Sequence, residues 1–335
     1  MRGGKSIRRS LFAAALVLAG AWTALYAQPA GPIPTPPPAR IGVFVGEYSD
    51  GRDTLVVCER SGDLHLVSPK GDERLVLAGD STFATQDHTT GGRIIRGDDG
   101  TVRALASDDR IYERLSYGTG TFHIVLQRPL AELRAEAEAA RPPVERGTFR
   151  TPELTELAPL DTSMRFDIRY ATENNFMGAR FYSQARAFLQ HPAAEALVRA
   201  HRWLRQFGYG VIIHDAYRPW YVTKMFWDAT PPAQRDFVAN PARGSKHNRG
   251  CAVDLSLYDL RTGKEVEMPS GYDEFSTRAY ADFPGGTSRQ RWYRALLRAA
   301  MEREGFHVER VEWWHFDYGD WRHYPIGNIR FEDIH

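Results

Sequence analysis

From Ile41 to about Arg128 apolar and polar positions alternate in short runs, TLVVCE, LHLVS, RLVLA and IIR. Between them stand the turn signals SGD, PKGD, GDDG and YGTG at fairly regular spacing. Short alternating runs split by turn residues predict a small antiparallel sheet or barrel, all β, long enough to bury a core of its own. Leu130 to Arg150 opens as a charged, Ala/Glu-rich helix and closes on Pro142-Pro143, as a connector would. From Thr151 the texture changes. His191-Pro192 opens a helix with Leu197, Ala200, Leu204 and Phe207 on one face and Gly208 as its stop. A second helix, capped by Ser288, carries Trp292, Leu296, Ala299 and Ala300 and ends at Gly305. Val211 to Ile213 and Val311 to Phe316 read as strands. Trp220 to Arg243 reads as a helix and a long proline-bearing loop that covers a site. In AVDLSLYD, Val253, Leu255 and Leu257 point one way while Asp254, Ser256 and Tyr258 point the other, the pattern of a half-buried strand. Helices and strands in this irregular order predict an α+β region, 151–335, around a central antiparallel sheet.

The ends and the charge balance add to this picture. Residues 1–27 carry Arg2, Lys5, Arg8 and Arg9 ahead of the apolar run Leu11 to Leu25 and finish in small residues near Ala27. This is the layout of an export signal, so the chain is expected to be periplasmic or secreted. The apolar run is short and Ala-rich for a membrane span, and a retained anchor is the alternative. Removing the segment leaves 39 Lys+Arg against 42 Asp+Glu, a balance that gives no footprint for nucleic acid. Gln28 to Arg40 is proline-rich and predicts an extended, exposed tether. Two cysteines, Cys58 and Cys251, in different regions exclude a disulfide framework and read as small buried apolar residues.

The chemistry gathers in GSKHNRGCAVDLSLYD and, far downstream, in VEWWHFDY. Asp254 sits inside an apolar strand, where an unpaired carboxylate is expensive and a cation offsets the cost. His247 lies on the Gly- and Asn-rich loop that feeds this strand, seven residues earlier. His315 supplies a third donor and Glu312 a free carboxylate, together a hydrolase-like metal set. Residues three apart on a regular strand face opposite ways, so Glu312 and His315 reach one cleft only if the strand is irregular at Trp313 or Trp314. Arg218, between Tyr217 and Pro219 at the end of a buried strand, aims a guanidinium inward, and Asp215 is placed to orient it. His65, His88 and His123 are scattered in the β region and read as surface histidines.

Two resemblances sharpen these readings. Residues 41–128, with VGEYSDGRDTLVVCERSGDLHLV and RIIRGDDGTVRAL, resemble the lipocalin-like β domain appended to some exported β-lactamase-like and peptidase proteins. The stretches RYATENNFMG, HDAYRP, SKHNRGCAVDLSL, GYDEF and EWWHF, in this order, make the region from Thr151 onward resemble the VanX-type D-alanyl-D-alanine dipeptidases, zinc D,D-peptidases. That resemblance implies one zinc ion per chain held by His247, Asp254 and His315, with Glu312 as general base and then acid, and Arg218 stabilising the tetrahedral intermediate. It places Ser245 at the substrate carboxylate and Asp273 at the substrate ammonium. The implied partner is a small D,D-peptide or other cell-wall peptide. A D,D-carboxypeptidase acting on longer stems and a non-catalytic zinc-binding relative are the alternatives. Cys251 stands where a small hydroxyl residue is common in that family, and an exported two-part chain departs from dipeptidases that act on a cytoplasmic pool.

Overall fold

The computed structural model describes residues 31–116 and 123–335. The expected export signal and the YGTG turn lie outside these residues. After a short helix, α1 (Ala39–Gly42), the chain forms eight strands: β1 (Gly46–Ser49), β2 (Thr54–Arg60), β3 (Asp63–Ser68), β4 (Gly71–Ala78), β5 (Thr82–Thr85), β6 (Gly91–Arg96), β7 (Val102–Ser107) and β8 (Arg110–Arg114). Each pairs antiparallel with the next and β1 pairs with β8, so the sheet closes into a barrel without open edges. Tyr48, Val57, Leu64, Leu66, Phe83 and Leu105 fill a core separate from that of the C-terminal region. At Gly92 a side chain has no room, because a Cβ there would lie 1.9 Å from the Ala106 carbonyl oxygen. His65 pairs across a hairpin with Asp72 at the surface, 3.0 Å away.

Helix α2 (Leu130–Ala139) leads into the C-terminal region, which holds β9 (Leu154–Glu156), β10 (Arg165–Phe166), β11 (Phe188–Gln190), α3 (His191–Arg205), β12 (Tyr209–Asp215), α4 (Trp220–Ala229), β13 (Ala252–Asp259), α5 (Ser288–Arg303), β14 (Phe306–Glu309) and β15 (Glu312–Tyr318). Five strands form one sheet in the order β10-β12-β13-β15-β14. The expectation of an antiparallel sheet holds for every pair but one: β10 runs parallel to β12. Because β13 is the middle strand, it is buried on both faces and not half-buried as its alternation predicts. Val253, Leu255 and Leu257 share a core with Leu197 and Leu204 of α3 and with Leu296, Leu297 and Ala300 of α5. The other face, with Asp254 and Ser256, is sealed by polar and aromatic groups.

Local chemistry explains the helix ends, with one correction. The N-cap of α5 is Thr287, not Ser288: Thr287 and Gln290 form a reciprocal capping box. Ser288 is free to donate its backbone N–H to Glu59 of the barrel, 2.8 Å away. The described part of the proline-rich stretch, residues 31–40, is largely exposed as expected, but it is not a free tether. Pro34 O accepts from Arg289 Nε at 2.9 Å, fastening it along α5. None of the described helices is long and apolar enough to cross a membrane.

His201 locks α3 onto the sheet. Its Nδ1 accepts from Val211 N at 3.2 Å and its Nε2 lies 2.8 Å from Ser163 Oγ, an arrangement that requires a neutral ring. Burial pushes this imidazole from 6.5 down to about 4, against a partial opposing pull from Asp161. The unfolded chain therefore takes up this proton more readily than the folded one. Its contribution to stability is complete above pH 6.5 and is lost as pH falls towards 4. Thermal unfolding followed across this window will show the fall, and His201→Gln will remove part of it.

Candidate metal centre

Three elements bring three side chains to one point. Asp254 lies on β13 directly opposite His315 of β15 in the strand register. His247 opens a single 3-10 turn, His247–Arg249, closed by Gly250 at φ +67°. Glycine is required there, since a Cβ would also meet Leu154 Cδ2 at 2.7 Å. All three residues are buried. Their facing atoms form a small triangle. His247 Nε2 to His315 Nδ1 is 3.1 Å, His315 Nδ1 to Asp254 Oδ1 is 2.9 Å, and His247 Nε2 to Asp254 Oδ1 is 3.4 Å.

The outward ring nitrogens assign the tautomers. His247 Nδ1 donates to Ala216 O at 2.7 Å, and His315 Nε2 donates to Asp317 Oδ1 at 2.9 Å. Each imidazole thus turns a lone pair inward, beside a carboxylate oxygen. With both imidazoles neutral, three acceptors converge, which is unfavourable without a proton or a metal cation among them. Ligand atoms bound tetrahedrally at about 2.0–2.1 Å lie about 3.3 Å apart, close to the observed triangle. The donor set fits a metal ion.

The surroundings favour positive charge at this point. Burial opposes the charged form of Asp254, yet His247 and His315 hold its carboxyl well below the usual range. Burial likewise opposes a charged His315, but hydrogen bonds to Asp254 and Asp317 raise it well above its ordinary value. Asp317 is itself paired with Lys246. Burial raises Glu312, aided by Asp254 and opposed by His315, and burial with the charges of Asp254 and Glu312 raises Asp273 further. Arg218 is buried, donates from Nε and Nη2 to Asp215 Oδ2 at 3.1 and 2.6 Å, and lies over the rings of Tyr170 and Phe226. Tyr182 donates to the other oxygen of Asp215 at 2.6 Å.

The expected irregularity in β15 is present. Val308 of β14 pairs with Phe316 but Glu309 pairs with Glu312, so Trp313, Trp314 and His315 bulge between them. Glu312 Oε2 comes to 3.8 Å from His315 Nδ1, beside the triangle and outside it. Ser245 stands at the turn that carries His247, where its Oγ accepts His247 N–H at 3.2 Å. Cys251 is buried, with its Sγ 3.6 Å from Arg249 O. Burial pushes its thiol up to about 12, and it is not among the converging donors.

Several participants escape sequence reasoning. Tyr272 donates to Asp254 Oδ2 at 3.0 Å, and Tyr170 donates to Asp273 Oδ2 at 3.0 Å. Neither has a spacing that singles it out, because Tyr272 lies in a loop and Tyr170 in a single 3-10 turn, Arg169–Ala171. Asp317 did leave a trace: two residues beyond His315 on one strand, it shares that residue's face.

The family model of the M15 peptidases, described as D-ala-D-ala dipeptidase, matches residues 150–332, more than half of the chain. The chain belongs to this family. A D-alanyl-D-alanine dipeptidase of Escherichia coli K12 is 35% identical over 176 residues, 52% of this chain and 90% of that relative. Dipeptidases of the same description from Enterococcus faecium and Enterococcus faecalis V583 are each 33% identical, over 50% of this chain and 91% and 92% of their own lengths. As an M15 metallopeptidase the chain carries its converging His-Asp-His set in the matched part, and the barrel lies outside it.

Asp254→Ala will abolish tight metal uptake, read as metal content after dialysis, whereas Cys251→Ser will keep the full load.

Proposed function

We propose that this protein is an exported, zinc-dependent hydrolase of D-Ala-D-Ala and related D,D-dipeptides. The observation that carries the reading is the triangle of three inward acceptors with Glu312 beside it and left outside it. His247, Asp254 and His315 hold the ion. Two imidazoles and one carboxylate suit zinc and leave a position open. Zinc bound there supplies Lewis-acid chemistry, lowering the pKa of a water and polarising the amide carbonyl.

The chain's own groups do the rest. Glu312 takes a proton from the attacking water and returns it to the departing amine, and its upward shift matches a group that must both accept and release a proton. Arg218, held by Asp215, faces the negative charge that develops on the scissile oxygen, and its rigid pairing means little reorganisation is needed. Asp273 holds the substrate ammonium, whose positive charge answers the crowding of carboxylates around it. Ser245 lies at the substrate carboxylate. Export follows from the layout of residues 1–27, and detection of a mature chain shortened near Ala27 tests it.

One observation favours a second reading. A cavity of about 430 Å³ adjoins Glu312, walled by Phe275, Ala279, Tyr280, Val311 and Trp314. It gives space beyond a dipeptide, as a D,D-carboxypeptidase acting on longer stems requires. Comparing kcat/KM for D-Ala-D-Ala with that for a pentapeptide stem separates the two; a pentapeptide preference of tenfold or more, about 1.4 kcal/mol, decides for the carboxypeptidase.

Glu312→Ala will keep its zinc stoichiometry and lower kcat by about 10³-fold. Near-normal turnover in this variant would remove Glu312 from the proton transfers. Arg218→Lys keeps the charge but loses the paired donors, and will lower kcat by about 10²-fold with metal content unchanged.

A further inference from the structure

Among the described residues, hydrogen bonds and ion pairs join the barrel to residues 278–291 of the C-terminal region at two places. At the far end stands Glu59 of β2. Its backbone N–H donates to Gly286 O at 3.1 Å, its Oε2 accepts Ser288 N–H at 2.8 Å, and its carbonyl accepts from Arg291 Nη2 at 2.6 Å. At the near end stands Glu47 of β1, 2% exposed, with Oε2 at 3.8 Å from Arg278 Nε. That oxygen accepts no hydrogen bond among the described residues. Burial pushes the Glu47 carboxyl up to about 7, with Arg278 pulling the other way. A buried carboxylate of this kind depends on the cation opposite it.

Arg278 passes the contact on. Its Nε and Nη2 donate to Pro269 O at 3.1 and 2.7 Å, and Nε lies 3.5 Å from Glu274 Oε1. Glu274 in turn accepts from Gly271 N at 3.1 Å and from Ser276 Oγ at 2.8 Å. The chain from Pro269 to Arg278 is therefore closed around one ion pair, with the barrel's carboxylate behind it. Inside this closed loop lie Tyr272, which donates to Asp254, and Asp273, held by Tyr170 at φ +56°. A non-glycine residue keeps that backbone conformation only where its surroundings fix it. The same segment supplies Glu274, Phe275, Ala279 and Tyr280 to the cavity beside Glu312. The E. coli relative is covered over 90% of its length by 176 residues of this chain, which leaves no room in it for the barrel. The chemistry of the family thus does not require the barrel, whereas in this chain the substrate loop is pinned by it.

We propose that the barrel is a positioning module for the substrate loop: Glu47, acting through Arg278 and Glu274, sets where Tyr272 and Asp273 stand beside the metal centre, and so sets substrate affinity. Glu47 is a positioning residue and touches no reacting atom. The assignment of affinity rests on the functional reading above; the mechanical coupling does not.

The test uses the full-length, zinc-loaded protein with Glu47→Ala, the isosteric Glu47→Gln, and Asp63→Ala, which breaks an exposed barrel ion pair with Arg74 and leaves Glu47 and Arg278 in place. Amide hydrogen exchange over residues 271–275 is read together with kcat, KM for D-Ala-D-Ala and metal content. Expected are exchange about tenfold faster in Glu47→Ala and an intermediate value in Glu47→Gln. KM rises about fivefold with kcat within about twofold, metal load is retained, and Asp63→Ala behaves as the parent. Unchanged exchange in both Glu47 variants overturns the proposal, as does a loss of kcat with KM constant. If Glu47→Ala does not fold, Glu47→Gln alone decides by the same two readouts. A parent protein that hydrolyses no D,D-dipeptide while exchange still responds removes the functional reading and leaves the coupling standing.

Discussion

Three ligand atoms directed at one point form the constraint on which the C-terminal region depends. His247, His315 and Asp254 could each be satisfied singly in a protein interior. Together, with their outer nitrogens already donating to Ala216 O and Asp317, they call for a proton or a metal cation between them. Much of the surrounding architecture follows from holding this arrangement. Asp254 must be rigid, and it sits on the middle strand of the sheet. His247 must approach from a different direction, and the left-handed Gly250 turns the chain so that it does. Lys246 neutralises Asp317, so the group that orients His315 remains an acceptor.

The same site also needs residues that are near the ion without binding it, and the sheet supplies these by breaking its own rule. In a regular strand Glu312 and His315 would face opposite sides. Three residues of β15 bulge against β14, and this brings the Glu312 carboxylate alongside the triangle. Arg218 is placed by a related device. It follows the end of β12, where the register also shifts, and Asp215 and two aromatic rings remove its remaining freedom. Irregularity at strand ends thus converts a stiff sheet into a site with groups on several sides.

The barrel adds a second tier. Its two buried glutamates do not reach the metal centre, but they bracket the segment that does. A loop carrying a non-glycine residue in the left-handed region needs outside support, and ion pairing through a half-buried arginine is a stiff form of it. In this arrangement the added module acts on the site through the loop's position and not through its chemistry.

The sequence by itself determined the element types, the all-β character of the first part, and the identity of the charged groups that gather in the second, whereas closure of the barrel through β1 and β8 came from the structure. These are local signals: alternation along 54–78, helix stops at Gly208 and Gly305, and a carboxylate stranded among Val253 and Leu255. The need for a break in β15 was legible too, because the period of a strand forbids the alternative. The burial of both faces of β13, the parallel pairing of β10, the capping of α5 by Thr287, and the anchoring of Pro34 were not legible, since each depends on which neighbour arrives from elsewhere in the chain. Tyr272, Tyr170 and Glu47 belong to the same class. Only tertiary structure decides that a loop hydroxyl meets Asp254, or that a barrel carboxylate lies behind Arg278, because contacts outside regular helix or strand spacing leave no periodic trace in a single sequence.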